Sequence, residues 1–251
     1  MKIIVCVKQV PSSNERMLDP VTGTVIREGV ESILNPFDAH AVEEAVRLKK
    51  QHGGSVTAIS MGVPSTVETL RRVVAVGVDS VYLLTDIAFA GADTLATART
   101  LALGVEKIGQ FDLILCGKMA TDGDTAQVGP MLAEFLGIPH VTDISSINAV
   151  CENIIGITRM TDDGYVRVGI PLPALITVTK EINVPKLPSI TGVLRGKAAQ
   201  VTVWNAEAIG AAAEAVGLRG SATRVINTAR PERKGRCVFL SNVKSLVELI
   251  T

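Results

Sequence analysis

The sequence predicts a doubly wound α/β fold built on a parallel sheet. Up to Gly137, apolar runs alternate with segments whose apolar residues recur every three or four positions, as expected for strands alternating with helices. The composition agrees with this fold, since hydrophobic residues make up 47% of the chain and aromatic residues only 3%. A core of Val, Ile, Leu and Ala suits a parallel sheet that helices cover on both faces.

The elements can be placed along the chain from periodicity and from helix start and stop residues. The first run is β-branched throughout, which is typical of a central buried strand. We predict strands at residues 3–7, 55–60, 81–84 and 113–116, and helices at 36–52, 64–76, 93–108 and from 124 onward. Two runs joined by Asp162-Asp163-Gly164 predict an antiparallel hairpin at 154–160 and 165–170, and a further strand at 174–179 returns to the sheet.

Two segments fit the sheet poorly. The connection at residues 11–35 is long for a compact domain, which indicates a functional or partner-facing loop, with a small hairpin around Thr22-Gly23. The segment from 185 to 192 contains Pro185, Pro188 and Gly192 and predicts an exposed loop.

The chain after residue 200 is too short and too interrupted for a core of its own. We therefore divide the chain into a nucleotide-binding domain at 1–200 and an extended C-terminal arm at 201–251. The arm is predicted to pack on a partner subunit, and the alternative is a segment that folds back on its own domain.

Charge and composition exclude several function classes. The chain carries 25 basic and 25 acidic residues, so nothing favours a nucleic acid as partner. The first apolar run is too short for a membrane helix or a signal peptide, so we expect no membrane association and a cytoplasmic location. The cysteines and histidines lack metal-ligand spacing, and no nucleophile arrangement is recognisable, so we expect reduced thiols, no metal site and no catalytic residue.

The stretch at residues 117–131, GKMATDGDTAQVGPM, is the strongest candidate for a binding site. It follows the predicted strand at 113–116 and precedes a helical pattern that contains Val128, Met131 and Phe135. Such a turn lies at the carboxyl end of a strand, where free backbone N–H groups and the positive end of a helix meet ligands. It contains neither GxGxxG nor the phosphate-binding pattern GxxxxGK[ST].

The residues leave two interpretations of this turn open. Asp124 could cap the following helix, with Gln127 reaching back as in a capping box. Alternatively, the turn holds a phosphate through backbone N–H groups, with help from the hydroxyls of Thr121 and Thr125. Because a carboxylate repels phosphate, we then expect Asp122 and Asp124 to point away from it.

Four motifs, read together, resemble a known family. VCVKQVP at 5–11, SILNPFDAHAVEEAVRLK at 32–49, GKMATDGDTAQVGPMLAEFLG at 117–137 and KLPSITGVLRGK at 186–197 are similar to the beta subunit of electron transfer flavoproteins. The resemblance implies a Rossmann-like fold with a small antiparallel addition. It also implies a heterodimer in which the C-terminal arm embraces an alpha subunit.

The resemblance also implies roles for particular residues. Phe37 resembles the aromatic residue that approaches the flavin of the alpha subunit, and the alternative is a hydrophobic helix-start residue. Leu187 lies where the family carries a loop that docks into a partner dehydrogenase, and Lys197 follows it; the alternative is a leucine held by its own domain. Nucleotide contacts are implied at Cys6, Asn35, Pro36, Phe37, Asp38, Met61, Asp122, Gly123, Asp124, Thr125, Ala126, Gln127, Val128, Gly129, Pro130 and Met131.

The family contains two kinds of beta subunit. One holds AMP as a structural ligand, and the other holds a second FAD, takes a hydride from NADH and bifurcates its electrons. TDGDTAQVGP resembles the second kind, because Gly123 and Ala126 leave more room than the bulkier acidic pattern of the first. The resemblance then implies FAD and NAD(H), with a flavin dehydrogenase and ferredoxin or flavodoxin as partners, in an oxidoreductase complex of which this chain alone is not active.

Three other functions stay open at this stage. The chain could hold a structural AMP, it could be a redox-inert module that binds ATP as universal-stress-type folds do, or it could be an assembly subunit without a ligand.

Overall fold

A computed structural model describes residues 1–12 and 31–226. Its strands are β1 (Lys2–Cys6), β2 (Gln9–Pro11), β3 (Ser32–Leu34), β4 (Ser55–Met61), β5 (Ser80–Leu84), β6 (Leu113–Gly117), β7 (His140–Val150), β8 (Ile154–Thr161), β9 (Gly164–Pro171), β10 (Ala174–Val178) and β11 (Thr202–Trp204). Its α-helices are α1 (Pro36–His52), α2 (Thr66–Val76), α3 (Thr94–Ile108), α4 (Val128–Phe135), α5 (Ile190–Ala198) and the short α6 (Gly217–Gly220). No helix in these residues is both long and apolar enough to cross a membrane.

A nine-stranded sheet organises the described chain, in the order β11-β5-β4-β1-β6-β10-β7-β8-β9. The first seven strands in this order, from β11 to β7, run parallel to one another, and β8 and β9 add the antiparallel hairpin. The predicted α/β fold with a small antiparallel addition is therefore confirmed. The chain proceeds from β1 outward to β4 and β5 and then returns to β6 on the other side of β1. This reversal makes a topological switch point between β1 and β6, where open α/β sheets bind ligands.

Both faces of the sheet are buried, as the low aromatic and high aliphatic content predicted. Alternate residues of β1 face opposite sides, with Ile3 and Val5 on one and Ile4 and Cys6 on the other. Helices α1 and α2 pack on the first face through Ala45, Leu48, Leu70 and Val73, and α3 and α4 pack on the second through Ala98, Leu101, Val105 and Leu132.

The prediction of an exposed loop at 185–192 is wrong for its last three residues, because α5 begins at Ile190. Ser189 caps this helix, since its Oγ accepts a hydrogen bond of 3.0 Å from the Gly192 N–H. A side-chain carbon at Gly192 would overlap the carbonyl oxygen of Ala75 in α2. Glycine therefore serves here for close helix packing and does not mark a turn, which the sequence pattern could not distinguish.

Residues 202–223 pack on the sheet. Strand β11 pairs with β5, and the Trp204 ring centroid lies 4.5 Å from that of Tyr82. The Ala206 N–H donates to Asp86 Oδ2 at 2.9 Å, and the Thr223 N–H donates to Asp93 Oδ2 at 2.8 Å. The domain division at residue 200 stays a prediction. The final amphipathic pattern and the hairpin predicted around Thr22-Gly23 lie outside the described residues.

Candidate functional site

The carboxyl ends of β1, β4 and β6 meet at the switch point. Cys6, Met61 and Gly117 are the last residues of these three strands. The first turn of α1 lies directly against β6, because a side-chain carbon at Gly117 would come within 2.7 Å of the Phe37 carbonyl carbon. Chain segments that are far apart in sequence therefore share one edge of the sheet.

Asn35 ties the 117–131 turn to the start of α1. Its side chain is buried, its Nδ2 donates to the Met119 carbonyl at 2.9 Å, and its Oδ1 accepts from the Thr121 N–H at 3.2 Å. The residue occupies the N-cap position of α1, but its side chain makes no capping hydrogen bond. Its amide therefore fixes the turn instead of the helix.

Asp38 is a buried carboxyl in the first turn of α1, at the carboxyl edge of the sheet. Its Oδ2 accepts a hydrogen bond of 2.7 Å from the backbone N–H of Lys8, just after β1. Burial raises the pKa of Asp38 to about 7, against the opposing effect of hydrogen bonds from Asn35 and from the Lys8 N–H. The carboxyl thus joins the start of α1 to the end of β1, and it titrates near neutral pH.

Lys8 pairs with one carboxylate of the turn. Its Nζ lies 2.6 Å from Asp122 Oδ1, so the carboxylate faces a cation. This contact was missed in the sequence, although Lys8 could have been found as the charged residue that follows the central strand at the ligand-binding edge. The expected repulsion between Asp122 and a phosphate is reduced by the pair.

The capping-box interpretation of this turn is wrong. Asp124 has a φ of 55° and Ala126 a φ of 54°, both left-handed, and α4 begins only at Val128. Gln127 occupies the N-cap position without a side-chain capping bond, and its Oε1 accepts from Thr94 Oγ1 at 2.9 Å. The helix starts late because the N–H groups of residues 123 and 124 both bond to the Ala120 carbonyl and close a tight turn first.

The start of α4 offers free hydrogen-bond donors. Among the described residues, no acceptor is found for the backbone N–H groups of residues 125–129, which form the last part of the turn and the first residues of the helix. Their donors and the positive end of the helix favour an anion, and phosphate is the anion that such termini commonly bind. The residues present therefore fit the phosphate of a nucleotide through backbone donors, while Lys118 at the start of the turn is paired with Asp143.

The predicted site residues fall into two places. Residues 6, 35–38, 61 and 122–131 lie at the ligand-binding edge of the sheet, around the crevice. Leu187 and Lys197 lie apart from these strand ends, on the loop before α5 and in its last turn, and both are exposed. The binding roles implied for all these residues stay predictions.

Two of the three described cysteines are buried in the sheet. Cys6 and Cys116 are buried partners on β1 and β6, and Cys151 is exposed. Interaction with Cys6 and burial both raise the pKa of the Cys116 thiol. Cys116 therefore stays protonated, which makes it a poor nucleophile.

A parallel sheet with free N–H donors at its switch point defines a nucleotide-binding domain of the Rossmann-like class. The family model described as the electron transfer flavoprotein domain matches residues 22–209. The chain belongs to the electron transfer flavoprotein family, as a beta subunit that pairs with an alpha subunit and serves in electron transfer.

Proteins of similar sequence match this chain along most of their own length. The electron transfer flavoprotein subunit beta of Thermoanaerobacterium thermosaccharolyticum is 46% identical over 251 residues, covering 99% of this chain and 95% of the relative. The caffeyl-CoA reductase-Etf complex subunit CarD of Acetobacterium woodii is 46% identical over 236 residues, covering 94% and 90%. Protein FixA of Azorhizobium caulinodans is 41% identical over 241 residues, covering 93% and 86%.

Proposed function

We propose that this beta subunit binds FAD in the crevice between β1, β4 and β6, and that its heterodimer takes part in NADH-linked electron bifurcation. The observation that carries the proposal is the run of N–H groups at residues 125–129, which find no acceptor within residues 1–12 and 31–226 and lie at the switch point of the sheet. These donors would hold the phosphates of the dinucleotide. The protein supplies placement and electrostatics, and the flavin supplies the redox chemistry.

Other residues near the turn would position the cofactor or adjust the local charge. Asn35 fixes the turn through its two bonds to Met119 and Thr121. Lys8 offsets the charge of Asp122, and Phe37 is half-buried in the first turn of α1. Each acts on position or charge, so the chain itself needs no nucleophile or metal.

Three observations favour FAD over AMP. Gly123 borders open space, since a side-chain carbon there would meet nothing within 4 Å. The sequence TDGDTAQVGP also resembles that of FAD-binding members, and the relative CarD belongs to a caffeyl-CoA reductase complex. A turn with spare room and a reductase-linked relative both suit a working flavin.

When bound, FAD would supply hydride exchange with NAD(H) and separate routes for the electrons, one towards ferredoxin or flavodoxin and one through the alpha subunit to a flavin dehydrogenase. Activity then belongs to the complex and not to this chain alone. We place the contact with the dehydrogenase at Leu187, which is 92% exposed, and at Lys197 in α5. Residues 183–189, which carry Leu187, are called the docking loop below. The arm, including residues 227–251, would hold the alpha subunit.

The nucleotide content of the purified heterodimer tests the proposal. We expect denaturation to release two FAD molecules per heterodimer, identified by chromatography and mass spectrometry. One FAD with one AMP would overturn bifurcation and leave a simple electron carrier. ATP in this subunit, or no nucleotide in it at all, would overturn the proposed cofactor as well.

A further inference from the structure

We propose that Glu43 and Glu44 of α1 are positioning residues that hold the docking loop in the conformation that presents Leu187. The inference rests on the docking role proposed above. It concerns the base of the loop, whereas the resemblance concerned only its tip.

The docking loop has little structure of its own. It connects the 3-10 turn Lys180–Ile182 to α5 and contains Pro185 and Pro188, which have no backbone N–H to donate. A loop of this kind samples many conformations unless side chains tie it down, and ordering it upon binding costs affinity. An exposed Leu187 on an untied loop would therefore be a weak anchor.

Helix α1 ties the loop from below. Asn183 Nδ2 donates to Glu44 Oε2 at 3.2 Å and to the His40 carbonyl at 3.1 Å. The Lys186 N–H donates to Glu43 Oε2 at 3.2 Å, and Lys186 Nζ lies 3.4 Å from Glu43 Oε1. Positions 40, 43 and 44 share one face of the helix, because they are three and four residues apart. Both contacts fall in the four residues that immediately precede Leu187.

The burial of the two carboxylates supports a positioning role. Glu44 is 1% exposed and Glu43 is 9% exposed, although both belong to a helix that also has a solvent-facing side. Buried carboxylates are costly unless they are paired. Both oxygens of Glu44 accept from Arg47, whose Nε donates to Oε2 at 3.0 Å and whose Nη2 donates to Oε1, and Asn183 adds one more bond to Oε2. The contacts of Glu43 come from Lys186 of the docking loop. The loop thus supplies the partners of Glu43 and one partner of Glu44.

The tip of the docking loop is exposed, in contrast to the buried carboxylates at its base. Leu187 follows Lys186 directly and is 92% exposed, and Ile190 at the start of α5 is 84% exposed. The loop therefore combines a fixed base with a free apolar tip. Such an arrangement lowers the ordering cost when a partner binds the tip.

Two variants test the inference: Glu43→Ala removes the contact between α1 and Lys186, and Asn183→Ala removes the contact between the docking loop and Glu44. Both are made in the heterodimer, with Leu187→Ala as the docking control and Glu106→Ala, an exposed carboxylate on α3, as the matched control. We expect amide hydrogen exchange in residues 183–189 to become about tenfold faster in the first two variants, because a local opening no longer breaks a charged hydrogen bond. Glu106→Ala should leave that exchange unchanged.

Turnover distinguishes docking from chemistry. With the flavin dehydrogenase whose activity the wild-type heterodimer supports, Glu43→Ala and Asn183→Ala should raise the KM for the heterodimer about tenfold while kcat and nucleotide content stay constant. If Leu187→Ala raises KM but these two variants match Glu106→Ala, the positioning role is wrong and the docking role stands. If Leu187→Ala has no effect, the docking role fails and the inference fails with it. Unchanged exchange in the loop would also overturn the inference.

Discussion

Replacing Asp38 by asparagine should remove a pH dependence from the stability of this subunit. Asp38 is buried, and its Oδ2 accepts a hydrogen bond from the Lys8 N–H. Asparagine keeps the shape and one acceptor oxygen but cannot ionise. The comparison of the two proteins therefore isolates the ionisation of a single carboxyl.

The expected magnitude follows from the pKa. Burial raises the pKa of Asp38 from 3.8 to about 7, so the folded chain holds this proton more tightly than the unfolded chain. The resulting stability is fully present below about pH 4 and is lost as the pH rises through about 7. A difference of about three pKa units corresponds to about 4 kcal/mol of unfolding free energy in total, of which about 3 kcal/mol falls between about pH 5 and about pH 8.

Urea unfolding of the heterodimer across this pH range measures the effect. Wild-type and Asp38→Asn proteins are compared at each pH, so that other titrating groups cancel in the difference. We expect the stability of the wild type relative to the variant to fall by about 3 kcal/mol from about pH 5 to about pH 8. Asp163→Asn, the same chemical change in the exposed hairpin turn, should show a constant difference.

A difference in unfolding free energy between wild type and Asp38→Asn that stays constant from about pH 5 to about pH 8 would contradict this prediction. So would a wild type that gains stability relative to the variant as the pH rises, because hydrogen bonds from Asn35 and Lys8 would then outweigh burial.

Two further changes test the crevice. Lys8→Met removes the cation that lies 2.6 Å from Asp122 Oδ1, so we expect lower nucleotide occupancy in the purified heterodimer. The control Lys2→Met, at the other end of β1, should keep wild-type occupancy. Equal occupancy in the two variants would contradict the electrostatic role of Lys8. Gly117→Ala adds a carbon that would lie 2.7 Å from the Phe37 carbonyl carbon, so we expect a loss of about 1–3 kcal/mol in unfolding free energy, measured in urea. A variant as stable as the wild type would show that the start of α1 can move.

Much of the fold could be predicted because its cues are local. The β-branched run of β1, the Gly53 stop after α1 and the Asp162-Asp163-Gly164 turn each occupy a short stretch of chain. Strand β7 and helix α5 were missed for equally local reasons. The β7 residues alternate poorly between polar and apolar, and α5 carries two glycines that normally argue against a helix.

The candidate site was predicted in place but not in detail. The position of the turn after β6 follows from the order of strands, so its proximity to Cys6 could be expected from the α/β pattern. The helix start could not, because Asp124 and Gln127 have the spacing of a capping box while the backbone closes a tighter turn at Ala120. Two local solutions competed, and the surrounding contacts decided between them.

The sequence by itself determined the class of fold and the family, and it predicted the edge of the sheet that carries the candidate site, since these depend on periodicity and on motifs that are continuous in the chain. Only the tertiary structure decided which side chains meet across the sheet. Asn35 reaches Met119 over 84 residues, and Lys8 reaches Asp122 over 114 residues. It also showed that Glu43 and Glu44 lie beneath the docking loop. Such contacts depend on strand order and helix packing, which no local pattern of residues encodes.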